Sequence, residues 1–107
     1  MSTLRKNLTD TLNELQSLMM ANITDEQRET LRKRIRILFA QLDEVLVQDL
    51  SDSSDDFNQA LAALQNSAQA AEDAKNDIDK VASVINKTAD AIGKLEKVLK
   101  MGIKIVA

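Results

Sequence analysis

The sequence contains no cysteine, histidine, tryptophan, tyrosine or proline, and only two glycines and two phenylalanines. Without cysteine there are no disulfides, no thiolate nucleophile and no cysteine-based metal site. Without histidine no imidazole can activate a serine, and carboxylates and lysines are the only general acids and bases left. Glycine-rich phosphate loops, dinucleotide-binding motifs and calcium-loop patterns are also missing. We therefore expect a protein that is not an enzyme, with no catalytic residues, no cofactor and no metal site.

The same shortages indicate the fold class. The tight turns between the strands of a β-sheet favour glycine and proline, and this chain has almost none of either. Its 107 residues are 44% hydrophobic, which is enough for one modest core made of leucine, isoleucine, valine and alanine. We expect an all-α protein in which residues 1–107 form a single helical domain.

Long apolar segments are also missing. No run approaches the ~18 apolar residues of a membrane-spanning helix. The first residues alternate between polar and apolar types, with no continuous apolar core of the kind found in secretory signals. We expect a cytoplasmic protein.

Two amphipathic helices are predicted in the first half of the chain. The first, over about 3–20, carries one apolar stripe at helical spacing and could be capped by Ser2 or Thr3. The stripe consists of Leu4, Leu8, Leu12, Leu15 and Leu18 or Met19. The sequence Thr24-Asp25-Glu26-Gln27 matches a capping box, which marks the start of a second helix over about 25–50. A four-residue turn between them predicts an antiparallel helical hairpin.

The second half of the chain is predicted to be one long helix over about 54–105, packed on that hairpin. The serine- and aspartate-rich segment 51–56 breaks the second helix, and Ser53 or Ser54 could cap the third. From Phe57 onward every seventh residue is apolar, namely Phe57, Leu64, Ala71, Ile78, Ile85, Ile92, Leu99 and Val106. A continuous helix would be roughly 75 Å long. The alternative is an up-down four-helix bundle with a break near 75–77, where Asn76 or Asp77 would cap a fourth helix.

The predicted lengths suggest an interaction surface. A short hairpin cannot cover a helix of roughly 75 Å, so part of the apolar seam should stay open to a partner. The residues expected there are Ile85, Ile92, Leu99, Ile103 and Val106. This pattern favours a non-catalytic protein–protein interaction or assembly module that associates with itself through amphipathic helices. The partner would be another copy of the chain, which gives a homo-oligomer, or a different helical protein.

A second hypothesis comes from the end of the chain. From Ile92 to Ala107 aliphatic residues occupy about half of the helix circumference, and Lys94, Lys97, Lys100 and Lys104 lie opposite them. A cationic amphipathic helix of this kind can lie on an anionic membrane surface. Peripheral membrane binding through residues 92–107 is therefore the alternative function.

The charges are divided into blocks along the chain. Residues 37–74 contain eight acidic residues and no lysine or arginine, whereas the segments on either side are net basic. This asymmetry favours electrostatic self-association or folding back of the chain. Arg28, Arg32 and Arg36 step by four on one helix face, but nearby acids neutralise them and the chain has little aromatic surface for base stacking. We do not expect nucleic acid as a partner.

Overall fold

A computed structural model of the chain describes residues 4–48 and 55–106, and its side chains over residues 4–45 and 55–100. Within these ranges the structure is helical and contains no strand. The elements are α1 (Leu4–Met19), α2 (Asp25–Gln48), α3 (Asp55–Asn76), a short 3-10 helix (Ile78–Lys80) and α4 (Val81–Val106). The all-α prediction is confirmed. The predicted caps Ser2, Thr3, Ser53 and Ser54 lie outside the described residues.

The predicted continuous helix over about 54–105 is wrong, because the chain reverses after Asn76. Asp77 has an extended backbone, with φ −147° and ψ 95°, and its carboxylate accepts a hydrogen bond from the backbone N–H of Asp79. The N–H of Asp77 donates to the carbonyl of Ala74 at 3.2 Å and closes the end of α3. A short acidic side chain thus offers the backbone an alternative to helix. The four-helix alternative, with its break near 75–77, is confirmed.

The four helices form two hairpins that lie side by side. Helix α1 packs against α2 and α3, and α4 packs against the same two helices. Over the described residues, α1 makes no packing contact with α4, and α2 makes none with α3. The chain therefore passes from α2 to α3 between diagonally opposed helices. The bundle measures 45 × 22 × 18 Å.

Side-chain hydrogen bonds define the direction of the helices. Thr11 of α1 donates to the carbonyl of Leu64 in α3 at 2.9 Å, and Lys75 lies 2.8 Å from Glu14 further along the same pair. The contact that lies later in α1, at Glu14, also lies later in α3, at Lys75, so the two helices run parallel. The side-chain N–H of Gln41 donates to the Ile92 carbonyl at 3.0 Å and ties α2 to α4.

The core combines large side chains from α1 with small ones from α3. Helix α1 contributes four leucines that are fully buried, namely Leu4, Leu8, Leu15 and Leu18. Helix α3 contributes five buried alanines, namely Ala60, Ala63, Ala70, Ala71 and Ala74. Small residues let neighbouring helices approach closely but bury little area themselves, so the leucines supply most of the apolar area removed from water. The alanine-rich helix is accordingly placed between two neighbours, α1 and α4.

The turn between α1 and α2 contains the predicted capping box. The Thr24 N–H donates to the Gln27 side-chain oxygen, and the Gln27 N–H donates to the Thr24 hydroxyl oxygen, both at 3.1 Å. Arg28 adds a second cap, which the sequence did not reveal. Its guanidinium donates to the carbonyls of Met19 and Ala21 at 3.2 and 3.1 Å. The Met19 carbonyl lies at the end of α1, where helical partners run out, and the Ala21 carbonyl lies in the turn that follows.

Candidate functional site

The predicted partner seam is largely covered by the protein's own helices. Leu99 is only 3% exposed and belongs to the core of the bundle. Ile85 and Ile92 are half-buried and pack against that core. The side chains of Ile103 and Val106 lie outside the described residues. The expectation of an open seam assumed a long straight helix, and the reversal at Asp77 removes that reason.

The lysines of the membrane hypothesis lie on the surface of α4, but the apolar residues between them do not. Leu95 and Val98 are 0% and 5% exposed, which leaves this part of the helix without an apolar face for a bilayer. Lys94, Lys97 and Lys100 form ion pairs with Asp90, Asp56 and Glu96 at 3.1, 3.4 and 3.1 Å, respectively. The side chain of Lys104 is outside the described residues. Membrane binding through the described apolar side chains of this helix would require it to leave the bundle.

The basic row on α2 is divided among different roles. Arg28 caps α1, as described above, so its guanidinium already makes hydrogen bonds within the protein. Arg32 lies 2.6 Å from Glu29 in an exposed ion pair on the same helix. Arg36 is exposed and makes no hydrogen bond or ion pair with the other described residues. The three arginines therefore do not form a continuous surface for binding the phosphates of a nucleic acid.

An open groove of about 360 Å³ runs between α1 and α3. It is lined almost entirely by amides and carboxylates, namely Asn7, Asp10, Asn13, Glu14, Gln65, Ala68, Gln69 and Glu72. The Glu14 carboxylate is occupied by the Lys75 ammonium. Among the described residues no three potential ligands are grouped so that they could hold a metal ion. With no nucleophile–base pair either, this groove offers no recognisable chemistry.

The surface of α2 is the most distinctive feature. Phe39, one of the two aromatic residues in the chain, is 43% exposed, and Ile37 is 40% exposed. Four residues at spacings of four, three and four define what we call the outer stripe of α2: Arg32, Arg36, Phe39 and Asp43. All four side chains are exposed. The core-facing stripe of the same helix consists of other residues, namely Leu31, Ile35, Leu38, Leu42 and Val45.

The sequence analysis did not identify the outer stripe, because Phe39 is the only apolar residue in it. The available signal was the spacing of Phe39 from the charged residues, since 32, 36, 39 and 43 follow a heptad pattern of their own. At 100° per residue this pattern lies on a different face from Leu31, Leu38 and Val45. The sequence therefore contained two stripes on one helix.

No family model matches the chain, and comparisons with curated proteins and with solved structures also give no match. Over the residues that the structure describes, every helix is too short or too polar to cross a lipid bilayer. The geometry of this chain is therefore the basis for inferring its function.

Proposed function

We propose that this protein is a non-catalytic interaction or assembly module that associates with itself through a surface of its helical bundle. The observation that carries the proposal is the exposure of Phe39, at 43%, midway along α2. Among the described residues, twenty-three other apolar side chains fill the core, so the exposure of Phe39 does not reflect a shortage of apolar material. Exposed aromatic side chains are favoured at protein–protein contacts, where they bury a large area at low entropic cost.

The chemistry of the chain supports a binding role rather than catalysis. No imidazole or thiol is present in the sequence. The groove between α1 and α3 is polar and open, whereas small-molecule sites are usually concave and mainly apolar. Neither feature supports a reaction centre.

We place the proposed interaction surface on α2 and not on α4, where the sequence suggested it. Leu99 is buried, and Ile85 and Ile92 already pack on the core, so the described part of the α4 seam has little apolar area left for a partner. Among the described elements, α2 contacts only α1 and α4, and it keeps an exposed outer face. That face is therefore the better candidate for contact with another helix.

Analytical ultracentrifugation of the full chain, from micromolar to near-millimolar concentration, tests the proposal. We expect the mass to rise with concentration from the 11.8 kDa of the monomer toward twice that value. A Phe39→Ser variant should associate more weakly than the natural chain. An Ile78→Ser variant is the matched control, because Ile78 is similarly exposed, at 36%, but lies at the α3–α4 turn. A monomeric mass at every concentration would contradict self-association.

A further inference from the structure

The outer stripe of α2 divides its charges by sign along the helix. Arg32 and Arg36 lie toward its N-terminal side, Phe39 follows, and Asp43 lies toward the C-terminal side. The spacing of four, three and four is that of the a and d positions of a coiled coil, the pattern by which helices pack along a shared seam. The core uses a different face of α2, so this second seam has no partner helix within the described structure.

We propose that the occupant of this seam is the outer stripe of a second copy of the chain, in antiparallel orientation. This inference rests on the self-association proposed above and names its surface. About a two-fold axis between Arg36 and Phe39, Arg32 of each copy faces Asp43 of the other. By the same geometry, Arg36 of each copy faces Phe39 of the other. Every contact occurs twice, as a two-fold symmetric interface requires.

Charge complementarity determines the orientation. In a parallel pair in register, Arg32 would face Arg32 and Asp43 would face Asp43, and like charges in contact are strongly unfavourable. The antiparallel pair replaces these repulsions with two arginine–carboxylate contacts. It also places the Arg36 guanidinium over the ring of Phe39, where a cation is attracted to the aromatic face.

The side chains of the stripe are available for these contacts. Arg36 and Asp43 make no hydrogen bond or ion pair with other described residues. Arg32 shares its charge with Glu29 in a pair whose side chains are 47% and 54% exposed. An ion pair so open to water is weak and does not prevent Arg32 from contacting a further carboxylate.

These contacts predict a weak dimer that depends on salt. One helix pair with one aromatic ring per copy is a small interface compared with those of permanent dimers. Its charged contacts lie at the surface, where added salt screens them. The dimer of the natural chain should therefore dissociate as the salt concentration rises.

Exchange of charges tests the pairing directly. We expect Arg32→Asp alone and Asp43→Arg alone to weaken the dimer by at least about tenfold, because each places like charges together twice. An equimolar mixture of these two variants should form a heterodimer, since the mixture contains both opposite-charge pairs again. The double variant, Arg32→Asp with Asp43→Arg, should recover the homodimer. Sedimentation equilibrium measures each case, and circular dichroism confirms that each variant is folded.

Lys87→Asp is the matched control, because Lys87 is an exposed lysine on α4, away from the stripe. It should leave the dimer nearly as strong as in the natural chain. A natural chain that dimerises while neither single variant weakens it would overturn this surface and leave the proposed function standing. Failure of the mixture to form a heterodimer would overturn the antiparallel pairing. A natural chain that remains monomeric would overturn both proposals.

Discussion

The hydroxyl oxygens of Ser67 and Thr88 lie 2.8 Å apart inside the bundle, and both side chains are fully buried. Ser67 belongs to α3 and Thr88 to α4, so this single hydrogen bond joins the two helices that meet at the Asp77 turn. A buried hydroxyl without a partner is costly, and these two satisfy each other. The pair therefore favours one register of α3 against α4 over its neighbours.

The first prediction concerns this hydrogen bond. Thr88→Val should lower the free energy of unfolding by about 1 kcal/mol, because it leaves the Ser67 hydroxyl buried without its partner. Adding Ser67→Ala should cost less than the sum of the two single changes, since neither hydroxyl is then left unsatisfied. Urea unfolding followed by circular dichroism measures all three variants. Strictly additive losses would show that the two hydroxyls do not depend on each other.

The same pair belongs to a second buried stripe in the second half of the chain, which the sequence pattern did not indicate. In the predicted seam Phe57, Leu64, Ala71 and Leu99 are buried, whereas Ile78 is exposed. The best-buried heptad positions hold Ala60, Ser67, Ala74, Val81, Thr88 and Leu95. Alanine, serine and threonine carry little hydrophobic signal, so a pattern built on large side chains passes over them. Their mutual hydrogen bond became apparent only in the folded structure.

Heptad phase also could not reveal the chain reversal. The buried positions keep the same seven-residue phase on both sides of the turn, because Ala74 and Val81 are seven residues apart. The predicted seam likewise crosses the turn without a slip. An unbroken heptad phase is typical of one continuous helix, but a hairpin whose turn fits the repeat gives the same pattern. The short polar side chains of Asn76 and Asp77 were the better signal, since such residues favour caps.

The second prediction tests that turn. Asp77→Ala should lower the free energy of unfolding by about 1 kcal/mol, because the carboxylate no longer accepts the Asp79 N–H. Asp77→Asn should be much milder, since its side-chain oxygen can accept the same hydrogen bond. Thermal and urea unfolding of the two variants give the comparison. Equal losses in both would assign the effect to charge rather than to the cap.

The third prediction concerns Arg28, which the sequence suggested only as one of a row of basic residues. Arg28→Lys should cost about 1 kcal/mol of stability, because one ammonium cannot reproduce the fork that reaches both the Met19 and the Ala21 carbonyls. Arg36→Lys is the matched control, since Arg36 has no such contacts in the described structure and should change stability little. Unfolding by urea distinguishes the two, and equal stabilities would argue against the cap.

The incorrect prediction of one long helix also led to an incorrect reason for the interaction surface. The expected opening along Ile85, Ile92 and Leu99 followed from helix length alone, and the chain reversal at Asp77 removes that reason for it. The expectation of self-association through an amphipathic helix stays a prediction, now on α2. Its electrostatic basis was visible in the sequence, where residues 37–74 carry eight acids and no basic residue. Which side chains remain exposed depends on how four helices share their faces, and periodicity within one helix does not specify that.

The fourth prediction addresses the membrane alternative. Of the apolar side chains that α4 would use to bind a bilayer, the structure describes Ile92, which is half-buried, and Leu95, Val98 and Leu99, each at most 5% exposed. Withdrawing them from the core would cost about as much as their burial in lipid returns, because both environments are apolar. We therefore expect the folded chain not to sediment with either anionic or neutral vesicles.

A destabilised variant tests whether α4 can bind a membrane once it is released from the bundle. Leu64→Ala should remove about 2–5 kcal/mol of stability without changing α4 itself, since Leu64 is fully buried in α3. A bundle weakened in this way exposes α4 more often, and its apolar face and lysines could then bind anionic vesicles. Binding by the variant but not by the natural chain would show that the core withholds this helix from the membrane. Binding by the natural chain that is lost when Lys94, Lys97 and Lys100 are replaced by glutamine would contradict the prediction. It would mean that α4 leaves the bundle readily enough for the lysines to hold it at an anionic surface.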